Sequence, residues 1–166
     1  MKRLHLLRHA KSSWDDPALD DHARPLAPRG RKAAARMAAW LGEHGVRPQL
    51  VLCSTAVRAR QTLERVLPAL GDPEVVYEDG LYHVPADLLL ERLRALPDRV
   101  GEAMLVGHNP GLQELALELA APGPLRDRLA GKLPTGALVT LEAGAERWEE
   151  LVAARVVAFV APRELE

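Results

Sequence analysis

The 166-residue chain has one cysteine and few aromatic residues. Because Cys53 stands alone, no disulfide can form within the chain, which fits a reducing compartment. Phenylalanine, tryptophan and tyrosine make up only 4% of the residues, so we expect a core of Leu, Val and Ala. Cys53 ends the apolar run 50–53, and we interpret it as a buried strand residue.

The chain also lacks a large excess of charge and any long hydrophobic run. Its net charge is −1, so it has no broad field to attract nucleic acid or an anionic membrane. No stretch approaches the ~18 apolar residues of a membrane helix, and the charged N-terminus does not resemble a signal peptide. We therefore expect a cytoplasmic protein without nucleic-acid or membrane partners. Any anion that it binds must be held by a few placed side chains.

Short apolar runs alternate with longer helical patterns along the chain. This alternation predicts an α/β fold, a three-layer α/β/α sandwich with a mostly parallel sheet. The last two strands, joined near Gly144, predict an antiparallel edge. No linker divides the chain, so residues 1–166 are expected to form one domain. Strands are predicted at 4–7, 50–53, 75–77, 103–106 and 137–141 and within 148–160. Helices are predicted at 28–44 and 86–96. Two more are predicted to begin at a capping residue: one at Ser54 or Thr55, running toward 67, and one at Asn109, with Pro110 as its first residue.

Two arginines and two histidines follow the predicted parallel strands. Arg8 and His9 follow the first strand, Arg58 lies at the start of the helix after the second, and His108 follows the strand at 103–106. Ligands of open parallel sheets bind beyond the carboxyl ends of the strands, where helix N-termini favour anions. These positions predict a phosphate site.

Each of these residues taken alone has a structural explanation. Arg8 could be a solvated charge and His9 a hydrogen-bonded turn residue. Arg58 could lie on a helix surface like Arg60, and His108 could bond the backbone near the next helix. Their convergence at one sheet edge favours the functional interpretation over four separate structural ones.

Metal catalysis lacks a ligand set in this sequence. It contains no His-Glu-x-x-His motif, no cysteine pair and no tight acidic cluster at the strand ends. We therefore expect no metal and no cofactor. An acidic stretch before Pro25 is interpreted as a solvated loop: Asp15, Asp16, Asp20 and Asp21. The other histidines have no obvious partners and are interpreted as structural or surface residues: His5, His22, His44 and His83.

Short motifs carry a resemblance to a known family. The segment 7–10, Leu-Arg-His-Ala, resembles the Arg-His-Gly/Ala signature of the histidine phosphatase superfamily, also called phosphoglycerate mutase-like. Residues 54–62 resemble its second motif, and 107–110 the segment with its second histidine. The small size and segments 24–30, 81–82 and 133–138 resemble the SixA-type phosphohistidine phosphatase branch. The resemblance runs from about residue 1 to 162.

The resemblance implies a mechanism in which His9 attacks phosphorus and forms a phosphohistidine intermediate, which water then hydrolyses. Arg8, Arg58 and His108 would bind the phosphoryl group of the substrate and stabilise the transition state. Many members of the superfamily protonate the leaving group with a carboxylate. Glu78 lies in roughly the corresponding segment and is the candidate acid; a surface acid after a strand is the alternative.

The substrate class is the remaining question. Superfamily members that recognise small molecules usually have extra loops around the site, and this chain has little spare length. Size and resemblance therefore favour a phosphorylated partner, a protein bearing phosphohistidine. Two alternatives stay open: a phosphatase for small esters such as sugar or nucleotide phosphates, and a non-catalytic phosphoprotein-binding module. Retention of all four site residues disfavours the module.

Overall fold

The computed structural model describes residues 1–166 and has a six-stranded sheet at its centre. The strand order is β3-β2-β4-β1-β5-β6; the first four strands in this order are parallel, and β5 and β6 are antiparallel additions at one edge. The sheet confirms the predicted α/β class and antiparallel edge. The strands are β1 Lys2–Arg8, β2 Leu50–Ser54, β3 Glu74–Glu78, β4 Glu102–Gly107, β5 Leu138–Ala143 and β6 Arg155–Val160.

Helices cover both faces of the sheet. Alternate residues of β2 separate the two cores: Leu52 packs into the cluster formed with α3, α4 and α5, and Val51 into the cluster with α1 and α2. Because both faces are covered, the inner strands are apolar at almost every position. No helix is long and apolar enough to cross a membrane. The helices are α1 Pro28–Glu43, α2 Val57–Val66, α3 Ala86–Arg94, α4 Gly111–Leu119 and α5 Pro124–Gly131.

Two helical features differ from the sequence-based expectation. Helix α5 was not predicted, and Leu129 is its only buried residue, so it has no apolar stripe to reveal it. Helix α4 begins at Gly111, with Pro110 before it rather than as its first residue. The Asn109 side chain still caps this helix, since its Oδ1 accepts the N–H of Gln113 at 3.1 Å.

Cys53 is fully buried in β2, as expected. Burial raises the pKa of its thiol to about 12. Because the thiolate is the reactive form of cysteine, Cys53 is a core residue and not a nucleophile.

Candidate active site

The carboxyl ends of β1, β2 and β4 meet at one edge of the sheet. Arg8, the last residue of β1, pairs in register with Gly107 of β4, so the residues that follow them, His9 and His108, are neighbours. Their ring centroids are 5.2 Å apart. Both histidines and Arg58 are buried. The structure therefore brings these side chains together at the predicted edge.

Hydrogen bonds fix the orientation of His9. Its Nδ1 lies 2.7 Å from the carbonyl oxygen of Ala10, to which it can only donate. The Ala10 N–H donates in turn to the Thr62 hydroxyl at 3.0 Å, and that hydroxyl donates to the Arg58 carbonyl at 2.8 Å. With the proton on Nδ1, the neutral ring presents an unprotonated Nε2.

The surroundings of His9 keep it uncharged. Burial lowers the pKa of His9 to about 4; the hydrogen bond to Ala10 opposes this shift, whereas the positive charges of Arg58 and Arg8 add to it. A neutral imidazole is the nucleophilic form. His9 is therefore ready to attack an electrophile at neutral pH without a separate base.

We expect the rate to reflect this lowered pKa. Because the protonated ring cannot attack, kcat/KM corrected for substrate ionisation should hold below neutrality and fall only as the pH approaches about 4. NMR titration of ¹³C-labelled histidine, with His9→Gln used for assignment, should give the same midpoint. A midpoint near the ordinary histidine value of about 6.5 would contradict this account.

A second chain of hydrogen bonds orients His108. The Ser54 hydroxyl lies 2.8 Å from His108 Nε2 and accepts the N–H of Ala56 at 3.2 Å. The hydroxyl proton is then free to point at Nε2, which places the His108 proton on Nδ1. Burial, together with neighbouring His9 and Arg58, lowers the pKa of His108 to about 2. Ser54 was predicted only as a possible helix cap; the structure makes it a positioning residue for His108.

Three buried donor positions at this edge have no hydrogen-bond partner in the protein. They are Nε of Arg8, Nε of Arg58 and Nδ1 of His108. Buried polar atoms are nearly always paired, so three unpaired donors together fit an anion with several acceptor oxygens, such as a phosphoryl group. The Arg8 guanidinium is held in place by its Nη1, which donates to the Leu133 carbonyl at 2.9 Å.

Comparisons with known proteins agree with this geometry. The family model of the histidine phosphatase superfamily (branch 1) matches residues 4–87. A Mycobacterium leprae protein without an assigned function is 38% identical over 165 residues, covering 95% of this chain and all of that one. Phosphohistidine phosphatase SixA of Escherichia coli is 32% identical over 124 residues, 73% of this chain and 75% of that one. The structure of an Agrobacterium tumefaciens protein that bears the name SixA is 32% identical, with a TM-score of 0.83 over 97% of this chain and 98% of that chain.

The chain belongs to the histidine phosphatase superfamily, in its SixA-type branch. The matched residues 4–87 include Arg8, His9 and Arg58. Membership makes this protein a phosphatase, a hydrolase of phosphorylated substrates.

Two glycines of the motifs allow neighbouring segments to close around His9 of this histidine phosphatase. Gly136 has a φ of +76° and donates its N–H to the His9 carbonyl at 2.9 Å. A Cβ at Gly136 would lie 2.9 Å from the Pro162 side chain, and one at Gly30 would collide with the Lys11 carbonyl. Glycine is therefore needed at both positions for packing beside the strand end.

Asp21 is a site residue that sequence reasoning missed. Its main-chain carbonyl accepts from Arg58 Nη1 at 2.6 Å, and its Oδ2 accepts from Arg58 Nη2 at 2.9 Å. The hydroxyl of Tyr82 also donates to this carboxylate, and these bonds hold the pKa of Asp21 well below its usual range. Asp21 is exposed, as expected from the sequence, and its carboxylate in addition holds the Arg58 guanidinium in position.

His83 also lies at the site, although the sequence suggested a structural or surface residue. Its ring stacks on His108 with centroids 4.8 Å apart. Its Nε2 is 2.9 Å from Arg58 Nη2 and 3.2 Å from Asp21 Oδ2. His83 has a φ of +50°, the only non-glycine residue with positive φ, and such a backbone often marks a functional region. This conformation leaves no signal in the sequence.

Glu78 is at the same edge but is engaged elsewhere. It ends β3, in register with Ser54 of β2. Both carboxylate oxygens accept from Nε of Arg92, at 2.8 and 2.9 Å. No hydrogen bond or ion pair joins Glu78 to the other four predicted site residues. This ion pair favours the alternative, a surface acid after a strand. The role of Glu78 as the acid stays a prediction.

The variant Glu78→Gln separates the two roles of this residue. Because Arg92 occupies the carboxylate, we expect kcat/KM to fall by the same small factor for an alkyl phosphate and for phosphohistidine. A general acid would instead show a selective loss on the alkyl ester of about 10²–10⁴-fold. Both substrates should be measured on one preparation, with Arg92→Gln as the matched variant that breaks the same ion pair from its other side.

Proposed function

We propose that this histidine phosphatase hydrolyses phosphohistidine on another protein through a phosphorylated intermediate on His9. In the first step the substrate ring carries a proton on its far nitrogen; His9 Nε2 bonds to phosphorus, the substrate P–N bond breaks with its electron pair left on the ring nitrogen, and neutral imidazole departs. In the second step a water oxygen bonds to phosphorus, the bond to Nε2 breaks, and the water releases a proton as phosphate forms. Arg8, Arg58 and His108 carry the negative charge on the phosphoryl oxygens in both steps.

The observation that carries this proposal is that both carboxylates near the site, those of Asp21 and Glu78, are bound by other side chains. Asp21 is the only carboxylate bonded to any of the four residues, and Tyr82 and Arg58 hold it. Glu78 is held by Arg92. Expelling an alkoxide needs a general acid, whereas a phosphohistidine ring that is protonated from solvent on its far nitrogen departs as neutral imidazole, a weak base, without one. The absence of a free acid at the nucleophile therefore suits a P–N bond.

Similarity and size give further support. The Escherichia coli relative is a phosphohistidine phosphatase by name, and the chain of 166 residues has little length for loops around a small substrate. We also propose that residues 1–166 act as one domain and that the enzyme works in the cytoplasm, in keeping with its single, buried cysteine.

A comparison of leaving groups tests the proposal. We expect kcat/KM for a histidine-phosphorylated peptide to exceed that for glycerol phosphate by about 10²-fold or more, the range of a missing general acid. An activated ester, para-nitrophenyl phosphate, should lie between them, because its leaving group is also weakly basic. Equal or faster hydrolysis of glycerol phosphate would favour the small-ester alternative and overturn the proposal.

Metal independence belongs to the same proposal. No group of three or more His, Cys, Asp or Glu side chains is placed to hold a metal ion, and the reaction above uses only His and Arg groups. We expect dialysis against EDTA to leave kcat/KM unchanged. Loss of activity that a divalent ion restores would show that a metal takes part.

A further inference from the structure

We propose that a basic groove beside the active site binds an acidic segment of the protein that carries the phosphoryl group; this inference rests on the proposed function. The groove has a volume of about 350 Å³. One face of α1, the segment after His9, the loop before Gly136 and the C-terminal turn line it. Its basic side chains are Lys11, Arg29, Lys32, Arg36 and Arg163.

The position of the groove links it to the reaction. Lys11 is two residues beyond His9, and Thr135 of the groove adjoins Gly136, whose N–H donates to the His9 carbonyl. Strand β6 ends at the same edge of the sheet as β1, because β5 and β6 are successive antiparallel strands. The groove therefore lies beside the strand end that carries His9, within reach of a segment that flanks the phosphorylated residue of a substrate protein.

The charges of the groove are not neutralised within the protein. Only Arg36 has an ion pair, 3.7 Å from Glu166, whereas Lys11, Arg29, Lys32 and Arg163 have no carboxylate or hydrogen-bond partner for their side chains. Exposed arginines elsewhere behave differently: Arg3, Arg99 and Arg147 each reach a carboxylate. In a chain of net charge −1, this concentration of unpaired cations is a local feature and calls for an external anion.

The helix dipole adds to the same field. Arg29 and Arg31 lie in the first turn of α1, which holds no acidic residue. Cations at a helix N-terminus oppose the dipole and cost stability, whereas an anion there is favoured. An acidic ligand at the start of α1 is therefore attracted both by the basic side chains and by the positive end of the helix dipole.

The shape of the groove favours an extended segment over a single small anion. A second hollow of about 300 Å³ shares Pro134, Ala161 and Arg163 with it and adds Lys132, whereas its Arg128 is paired with Glu164. Together the two hollows form a continuous basic surface that several successive acidic side chains can follow.

Two synthetic peptides test the proposal. They share a central phosphohistidine, flanked on both sides by glutamates in one peptide and by glutamines in the other. At low ionic strength we expect kcat/KM of the wild type to be about tenfold higher for the glutamate peptide, by electrostatic attraction. This preference should shrink in salt of about 0.5 M, where exposed charges are screened. Equal rates for the two peptides would overturn the groove proposal while leaving phosphohistidine hydrolysis intact.

Charge reversal locates the effect. Lys32→Glu should abolish most of the preference, and Arg65→Glu, the same charge change at an exposed position of α2 outside the groove, should keep it. Both variants should hydrolyse para-nitrophenyl phosphate like the wild type. Equal losses of preference in the two variants would mean a general charge effect and contradict the proposal.

A binding measurement separates this inference from the proposed function. If neither peptide is hydrolysed although para-nitrophenyl phosphate is, phosphohistidine hydrolysis is wrong. Fluorescence anisotropy with the unphosphorylated peptides then tests binding in the groove independently of hydrolysis. Tighter binding of the glutamate peptide that is lost in Lys32→Glu supports the groove proposal. Equal binding of both peptides, or tighter binding of a short single-stranded oligonucleotide, overturns it.

Discussion

Replacing His9 with alanine is expected to lower kcat by about 10⁴-fold or more, as loss of a covalent nucleophile does in other enzymes. The residual donors Arg8, Arg58 and His108 still bind the phosphoryl group, so substrate affinity should survive. The reason lies in the Nδ1–H bond from His9 to Ala10, which leaves Nε2 as the attacking atom. No other group at this edge replaces it, because His108 Nε2 is bound to Ser54.

The matched control for His9→Ala is His5→Gln on the same strand. His5 is also buried, but its ring nitrogens contact Thr140 and Glu102, each at 2.8 Å. We expect His5→Gln to lower thermal stability and to leave kcat close to the wild-type value. Circular dichroism and thermal melts of both variants separate misfolding from lost chemistry. Substantial turnover by folded His9→Ala would remove His9 from the mechanism.

The second large effect is expected at Arg58. Arg58→Ala should lower kcat/KM by about 10²–10³-fold, the usual cost of one preorganised donor to transition-state charge. Arg58→Lys should recover little of this loss, since an ammonium group cannot offer the guanidinium fork that meets Asp21 on one side and the phosphoryl oxygens on the other. Steady-state kinetics on para-nitrophenyl phosphate measure both variants.

Arg60 is the control for Arg58. It is exposed on the same helix, where its guanidinium lies 5.1 Å from the Tyr77 ring centroid. Arg60→Ala is expected to change kcat/KM by no more than about twofold, because an exposed cation with no contact to the site residues contributes little. Equal losses in the two variants would mean that the phosphate-binding arginine is not Arg58.

The parts of the site that follow regular structure were predictable from the sequence. Arg8 ends its strand, His9 and His108 each follow a strand directly, and Arg58 lies in the first turn of the helix after β2. Parallel strands end at one edge, so their order along the chain is enough to bring these side chains together. The buried strands were equally clear, because helices on both faces make them apolar throughout.

The parts that depend on loops were not predictable. Asp21 reaches Arg58 through the path of the loop between β1 and α1, and His83 reaches His108 through a left-handed backbone conformation. Neither has periodicity or a turn signature. The pairing of Glu78 with Arg92 joins a strand end to the following helix. The sequence contains many other carboxylates that could pair with Arg92, so local pattern does not select this one. Such contacts follow from tertiary geometry and not from local pattern.

The central claim is that His9 carries the phosphoryl group between the two steps. Incubation with ³²P-labelled histidine-phosphorylated peptide, rapid quenching in base and peptide mapping by mass spectrometry test it most directly. The account predicts one labelled peptide, phosphorylated on His9, with a bond that is labile in acid and stable in base. Phosphate trapped on His108 instead, or rapid turnover without any labelled protein at times shorter than one cycle, would contradict it.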